Sequence, residues 1–421
     1  MFRKIQIFVV LVYLAVPFRV LPEEDKERSL ASYITLAAER NSGVKVAFHH
    51  WQSTISKIAY SDSIPDPNIT YGHFIKSVET RVGPQKFRLG LRQMFPWLGK
   101  LYSRKDLATQ EALGAEQKLS SAYVTLTLHL KEVFLEYYFL NRAIGLQKDY
   151  IELGKILEQT TQSQTKVGGS AADGIQAQME LNRLEYELIS LQEQEKTVIA
   201  QINAMLNQEA DFSLALPGDI SALTEIPPSG LFKHSKLELV ELNPYLKVIQ
   251  AQVNVEEARR KLVHKNRYPD LTFGVDWIKT DHAIMSTPEN GKDPVVAFVS
   301  VNIPIWRGTY ESQEKEARSH LDRYSQAYEE SSYQLLSQQE KILNRFSDTK
   351  RRIELYRDLL IPEAEQVLSI LREDYSAGRS DFERLRNAQT ALLDLQLKLE
   401  RARADIGAVI SQYRAMIGES L

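Results

Sequence analysis

One pattern recurs at a fixed offset and constrains the fold of this chain more than any other property. Asn41 precedes a helical stretch that ends in Pro65-Asp66-Pro67-Asn68-Ile69-Thr70-Tyr71-Gly72, and Asn243 precedes one that ends in Pro269-Asp270-Leu271-Thr272-Phe273-Gly274. The pairs Asn41/Asn243, Pro67/Pro269, Thr70/Thr272 and Gly72/Gly274 share a single spacing. Each half then carries a second strand-like run closed by proline and tryptophan: Phe95-Pro96-Trp97-Leu98-Gly99 in the first, Ile303-Pro304-Ile305-Trp306-Arg307-Gly308 in the second. A proline is best tolerated at the end of a strand, where its missing N–H removes no ladder bond. The chain is therefore one strand-pair unit written twice.

Each unit continues into long helices interrupted by a glycine turn. The first helical run covers residues 100–166 and breaks at Val167-Gly168-Gly169-Ser170; the second covers 309–376 and breaks at Ala377-Gly378-Arg379-Ser380. About 67 residues at 1.5 Å each make rods of roughly 100 Å. Apolar residues follow heptad steps along them, from Leu119 through Leu126, Leu130, Tyr137 and Ile144, and at Leu321, Tyr328, Leu335 and Ile342, which is coiled-coil spacing. The return helices, 174–206 and 380–418, keep the same rhythm from Leu181 to Met205 and from Leu385 to Tyr413. A pre-strand helix over about 30–60 plus the return helix matches the long helix in length, so each half closes as one rod.

The expected organisation is a signal peptide over 1–22, a first repeat over 23–206, an equatorial linker over 207–239 rich in proline and glycine, and a second repeat over 240–421. The signal expectation rests on Arg3 and Lys4 followed by the apolar run Ile5 to Val16, too short to cross a bilayer as a helix. Strands are expected over 68–80, 86–96, 270–280 and 294–304. Their alternation, with Phe87, Leu89 and Leu91 against Lys86, Arg88, Gly90 and Arg92, suits a wall with lipid on one side and water on the other, and equally a soluble strand with one face buried. Four strands cannot close a barrel by themselves, so several chains must share one. The fold class is mainly α with a small β part.

Composition narrows the function. A net charge of −3 on 421 residues gives no basic excess for nucleic acid. With no cysteine there is no disulfide and no thiolate metal site. No phosphate loop, nucleophile elbow, zinc helix or dinucleotide fingerprint occurs, so no catalytic residue, cofactor or metal ligand is expected and the chain is not read as an enzyme. His49 and His50 are adjacent, and adjacent helical residues diverge by about 100°, unlike paired metal ligands.

These features together resemble the outer membrane efflux protein family, the TolC-like ducts. The resemblance covers about Ser29 to Gly418 and rests on the order of the repeats, on Asn243-Pro244, on Phe95-Pro96-Trp97-Leu98-Gly99-Lys100 and on Tyr375-Ser376-Ala377-Gly378 leading to Ala388-Gln389. It implies a homotrimer whose strands form a 12-stranded outer membrane barrel above a periplasmic helical barrel, working with a periplasmic adaptor and an inner-membrane pump of the resistance-nodulation-division type. The tryptophan junction looks most like the heavy-metal and cation branch. By the same resemblance Gly168, Gly169, Asp173, Tyr375, Gly378, Asp381, Glu383, Arg384 and Asn387 form the gate and adaptor-docking tip, and Pro96, Trp97, Gly99, Pro304, Trp306 and Gly308 the junction of barrel and rod. Arg384 and Asn387 stand where the family places carboxylates. Helix spacing puts Asp381 and Arg384 on one face, leaving both a pore ring and an ion pair between subunits open. The competing expectation is a periplasmic coiled-coil adaptor or scaffold, which should carry one helical hairpin between compact β-domains.

Overall fold

The computed structural model describes residues 30–166, 170–215, 220–224, 232, 234–284 and 288–419. The N-terminal segment read as a signal lies outside them, as do Gly168 and Gly169. Helices α1 (Leu30–Arg40) and α2 (Ser42–Ser61) lead into strands β1 (Asn68–His73) and β2 (Gln85–Phe95), then into α3 (Leu98–Lys166) and α4 (Ala171–Met205). Short helices α5 (Ser221–Thr224) and α6 (Lys236–Leu242) connect to the second copy of this order. That copy is α7 (Pro244–Lys265), β3 (Leu271–Thr280), β4 (Val295–Val301), α8 (Arg307–Leu355), a π-turn (Tyr356–Leu360), α9 (Ile361–Ser376) and α10 (Phe382–Met416). The strands form one antiparallel sheet in the order β1-β2-β3-β4. At 69 residues, α3 alone spans roughly 100 Å.

Asn41 and Asn243 explain why each half closes. Each caps the helix after it with its side-chain oxygen: Asn41 accepts from the Gly43 and Val44 N–H groups, and Asn243 accepts from Leu246. The amide nitrogen of each donates to the last carbonyl of the return helix, Met205 at 3.0 Å for Asn41 and Met416 at 2.9 Å for Asn243. One side chain thus joins the start of one helix to the end of another. The return helices end alike, with Asn207 (φ 56°) and Gly418 (φ 80°) in the left-handed region and two reversed backbone bonds closing each end.

Three expectations are corrected. The pre-strand helix breaks at Asn41, and α1 leaves the end-to-end stack to bury Tyr33, Ile34 and Ala37 against Leu130 and Phe134 of α3. The first strand ends at His73 instead of residue 80: its last ladder pair is His73 with Phe87, and β2 begins only two residues earlier, at Gln85, so the rest of the expected strand has no β2 partner. The long second helix is broken by the π-turn. Pro362 has no N–H and its ring crowds the carbonyl four residues back, at Asp358, inside that turn. Sevens continued from Leu335, Ile342, Thr349 and Tyr356 would bury Glu363 and Ile370. The chain instead buries Leu368 and Tyr375 and packs the half-buried Ala364 and Leu371 against them, one residue after the expected Glu363 and Ile370, and leaves Val367 and Ile370 half exposed. The wide turn absorbs one residue and returns the seam to the core.

Candidate functional site

The sheet has two chemically distinct faces, fixed by a period of two and a continuous register. Leu89 pairs with Tyr71 and Trp277, and Leu91 with Ile69 and Val275, while Val299 pairs with Phe273. This face is mostly apolar, interrupted by Gln93 and, toward the Phe87 end, by His73 and Lys279, and it is open: Ile69 is 71% exposed and Val295 65%. Aromatic pairs mark both its ends, Tyr71–Phe87–Trp277 at one and Phe95–Phe273 at the other, with ring centroids 5.6–5.8 Å apart. About eight residues of tilted strand separate these groups, roughly 20 Å, close to the apolar band of an outer membrane barrel. The opposite face holds Arg88 and Arg92 opposite Ile278 and Gly274, with Asp276 opposite Gly90.

The sheet meets the rod at the expected junction residues, and the two repeats differ there. Trp97 stacks on Tyr268 at 5.4 Å with planes 11° apart, and Pro96 is buried. The Asp270 carboxylate accepts from the Trp97 N–H at 2.9 Å and from the Lys100 ammonium at 2.8 Å, and Lys100 is only 6% exposed. Gly99 eases this closeness, since a Cβ there would stand 3.1 Å from the Trp97 ring and press it aside. In the second repeat Trp306 is 73% exposed, Ile303 75% and Ile305 63%, and Gly308 faces open space. Strand β4 ends at Val301, and Asn302 beyond it still pairs with Asp270, donating its N–H to the Asp270 carbonyl at 3.3 Å and accepting from the Asp270 N–H with its side-chain oxygen. The first junction is completed by the α7–β3 connection. The second has no such element within the chain, because the equivalent α2–β1 connection lies at the far edge of the sheet.

At the other end of the rod, Gly378 (φ 72°) allows the turn between α9 and α10. The Arg379 N–H donates to the Asp374 carbonyl, and its guanidinium pairs with the Asp374 carboxylate at 2.8 Å. Asp381 caps α10 by accepting from the Arg384 N–H and lies 3.7 Å from the Arg384 guanidinium, so this pair forms within one chain. Glu383 and Asn387 are exposed. Tyr375 is 5% exposed and packs edge to face on Phe382, with centroids 6.2 Å apart. Its hydroxyl meets no hydrogen-bond partner among the described residues; burial pushes the phenol above its ordinary range, and the Asp173 carboxylate adds to the shift. Sequence reasoning missed Phe382, although it stands four residues after Gly378 and opens the apolar rhythm of α10 through Leu385. It also missed the Lys100–Asp270 pair, whose members lie 170 residues apart.

Among the described residues no group of three or more metal-ligating side chains gathers, and no helix is long and apolar enough to cross a membrane. His49 accompanies Gln52 at 3.1 Å instead of His50.

The family model for outer membrane efflux protein matches residues 238–418, the second repeat. No curated protein sequence matches the chain. Solved structures match nearly all of it. A membrane protein from Pseudomonas aeruginosa superposes with a TM-score of 0.78 at 14% identity, covering 93% of this chain and 91% of its own. The outer membrane protein VceC from Vibrio cholerae gives 0.76 at 15%, covering 93% and 96%. CusC, described as a protein undergoing transmembrane channel formation, gives 0.75 at 13%, covering 93% and 92%. The resemblance read from the residues is therefore matched at two levels: the family model for outer membrane efflux protein matches the second repeat, and nearly the whole chain shares the fold of these solved membrane proteins.

Proposed function

We propose that this chain is one subunit of a passive outer membrane duct, closed by three copies, through which small molecules leave the cell. The observation that carries this is a four-stranded sheet with an exposed apolar face and two open edges, standing on a rod of roughly 100 Å. Open sheet edges are not tolerated in lipid, so β4 of one copy should pair with β1 of the next. The inner β2–β3 seam serves as a template for that pairing. A neighbour's α2–β1 connection would cover Trp306, Ile303 and Ile305 as the α7–β3 connection covers Trp97. Helix α2, which buries no residue in the single chain, would gain its partner in the same step.

An inner-membrane pump of the resistance-nodulation-division type and a periplasmic adaptor would supply energy and opening, with the adaptor docking on the tip around Gly168, Gly169, Asp173 and residues 375–387. Most of the chain would then lie in the periplasm and the sheet in the outer membrane. The test is fractionation: we expect a detergent-extracted outer membrane trimer that conducts ions in planar bilayers. Recovery as a soluble periplasmic monomer would favour the adaptor reading and sink the duct.

Arg384 takes a defined place in this scheme. Its side chain is 73% exposed and held only by a surface pair with Asp381, which contributes about 0.5 kcal/mol or less. Arg384→Ala should leave the thermal midpoint within a degree or two and change single-channel conductance or open time. Unchanged conductance and open time together would remove Arg384 from the gate.

A further inference from the structure

The face of the sheet turned away from the apolar side carries two arginines and one acid. Arg88 forms an ion pair with Asp276, whose carboxylate lies over Gly90 and is only 4% exposed. Arg92 forms no ion pair among the described residues. Its guanidinium carbon sits 5.5 Å from the centroid of Phe298, and that ring fills the space above Gly274. The two glycines leave room for the carboxylate and the ring to lie flat, and each holds an arginine along the wall. The side chain of Arg88 stays 41% exposed while the acid that neutralises it is sealed beneath. Lys86, two residues before Arg88 on β2, is neutralised by an ion pair with Asp281 at 2.7 Å, and the other residues at these alternate positions on the four strands are uncharged, including those of β1 that a second copy would bring beside β4.

Resting on the duct reading above, we propose that the strand wall is an anion-attracting collar, so that the barrel favours anionic small molecules. Each copy contributes two arginines and one aspartate on this face, 2 − 1 = +1, and closure by any number of copies concentrates this charge around one axis. A narrow wall of low dielectric focuses such a field on whatever passes. Cation–π contact with Phe298 holds the half-buried Arg92 along the wall without neutralising it. The junction motif, by contrast, resembles a branch that moves cations, so wall and motif point to different cargo and conductance decides between them.

The experiment uses the full chain in planar bilayers under a KCl gradient, with citrate as the blocking anion added to either side. The collar predicts a chloride-to-potassium permeability ratio above about two, and citrate block from the side of the strand loops. Arg88→Gln with Arg92→Gln should bring the ratio to about one or below and remove that block; Arg92→Lys, which keeps the charge, should retain both. A cation-selective wild type, or citrate block that survives the double glutamine variant, would overturn the collar and leave the duct standing. No conductance from the wild type would overturn the duct itself and the collar with it. Should the double variant fail to assemble, the wild-type ratio and Arg92→Gln alone still decide.

Discussion

Replacing Phe382 by alanine is expected to unlatch the tip. Phe382 is 1% exposed and lies in a cluster with Tyr375, Leu385, Leu368 and Leu392, where α9 and α10 turn at Gly378. Truncating a buried phenylalanine costs about 3–5 kcal/mol, part of it from the cavity left behind. This cluster is a satellite of the rod, separate from the two cores at its middle, so the loss should fall on local opening and spare the global fold. The expected results are longer open times of the reconstituted channel and entry of large hydrophilic antibiotics into cells carrying the variant.

Tyr375→Phe separates ring from hydroxyl. The Tyr375 hydroxyl is buried without a partner among the described residues, so removing it should be neutral or mildly stabilising. A leaky Tyr375→Phe channel together with a tight Phe382→Ala channel would show that the hydroxyl holds the tip and would refute the ring-based latch.

What was legible in the residues followed from periodicity. The repeated strand pairs, the long rods and the return helices announce themselves through spacing, because burial of one face per element is a local rule. Asn41 and Asn243 were visible as a repeated pair; their double role was not, since the carbonyl each one reaches belongs to a helix end far along the chain. Pro362 was a readable break inside a helical pattern, yet only the buried set after it shows that one residue is absorbed there. Asp270 and Lys100 each sat in a conspicuous motif, and it is the β2–β3 register that brings them together. Trp97 and Trp306 look equivalent in sequence and differ in surroundings, because the second needs an element that this chain presents at its opposite edge.

The asymmetry at the junction makes Asp270 the residue whose loss should be most damaging at the sheet end. Its carboxylate accepts from Lys100 at 2.8 and 2.9 Å and from the Trp97 N–H, and it sits at the foot of β3 where strand becomes rod. In Asp270→Ala the Lys100 ammonium stays buried without its counter-charge, and breaking a buried pair from one side costs about 3–5 kcal/mol. The Trp97 N–H loses its acceptor as well, adding about 1 kcal/mol or more. Removing the charge on both sides should hurt less than removing it on one, because no bare ammonium is then left in an apolar place. We therefore expect the urea midpoint of the extracted protein to fall most in Asp270→Ala and to recover partly when Lys100→Met is added. Trp97 fluorescence, which depends on its stacking over Tyr268, should shift in the single variant. If Lys100→Met lowered stability further instead of restoring it, the pair would be dispensable and the junction would be held by the Trp97–Tyr268 stack alone.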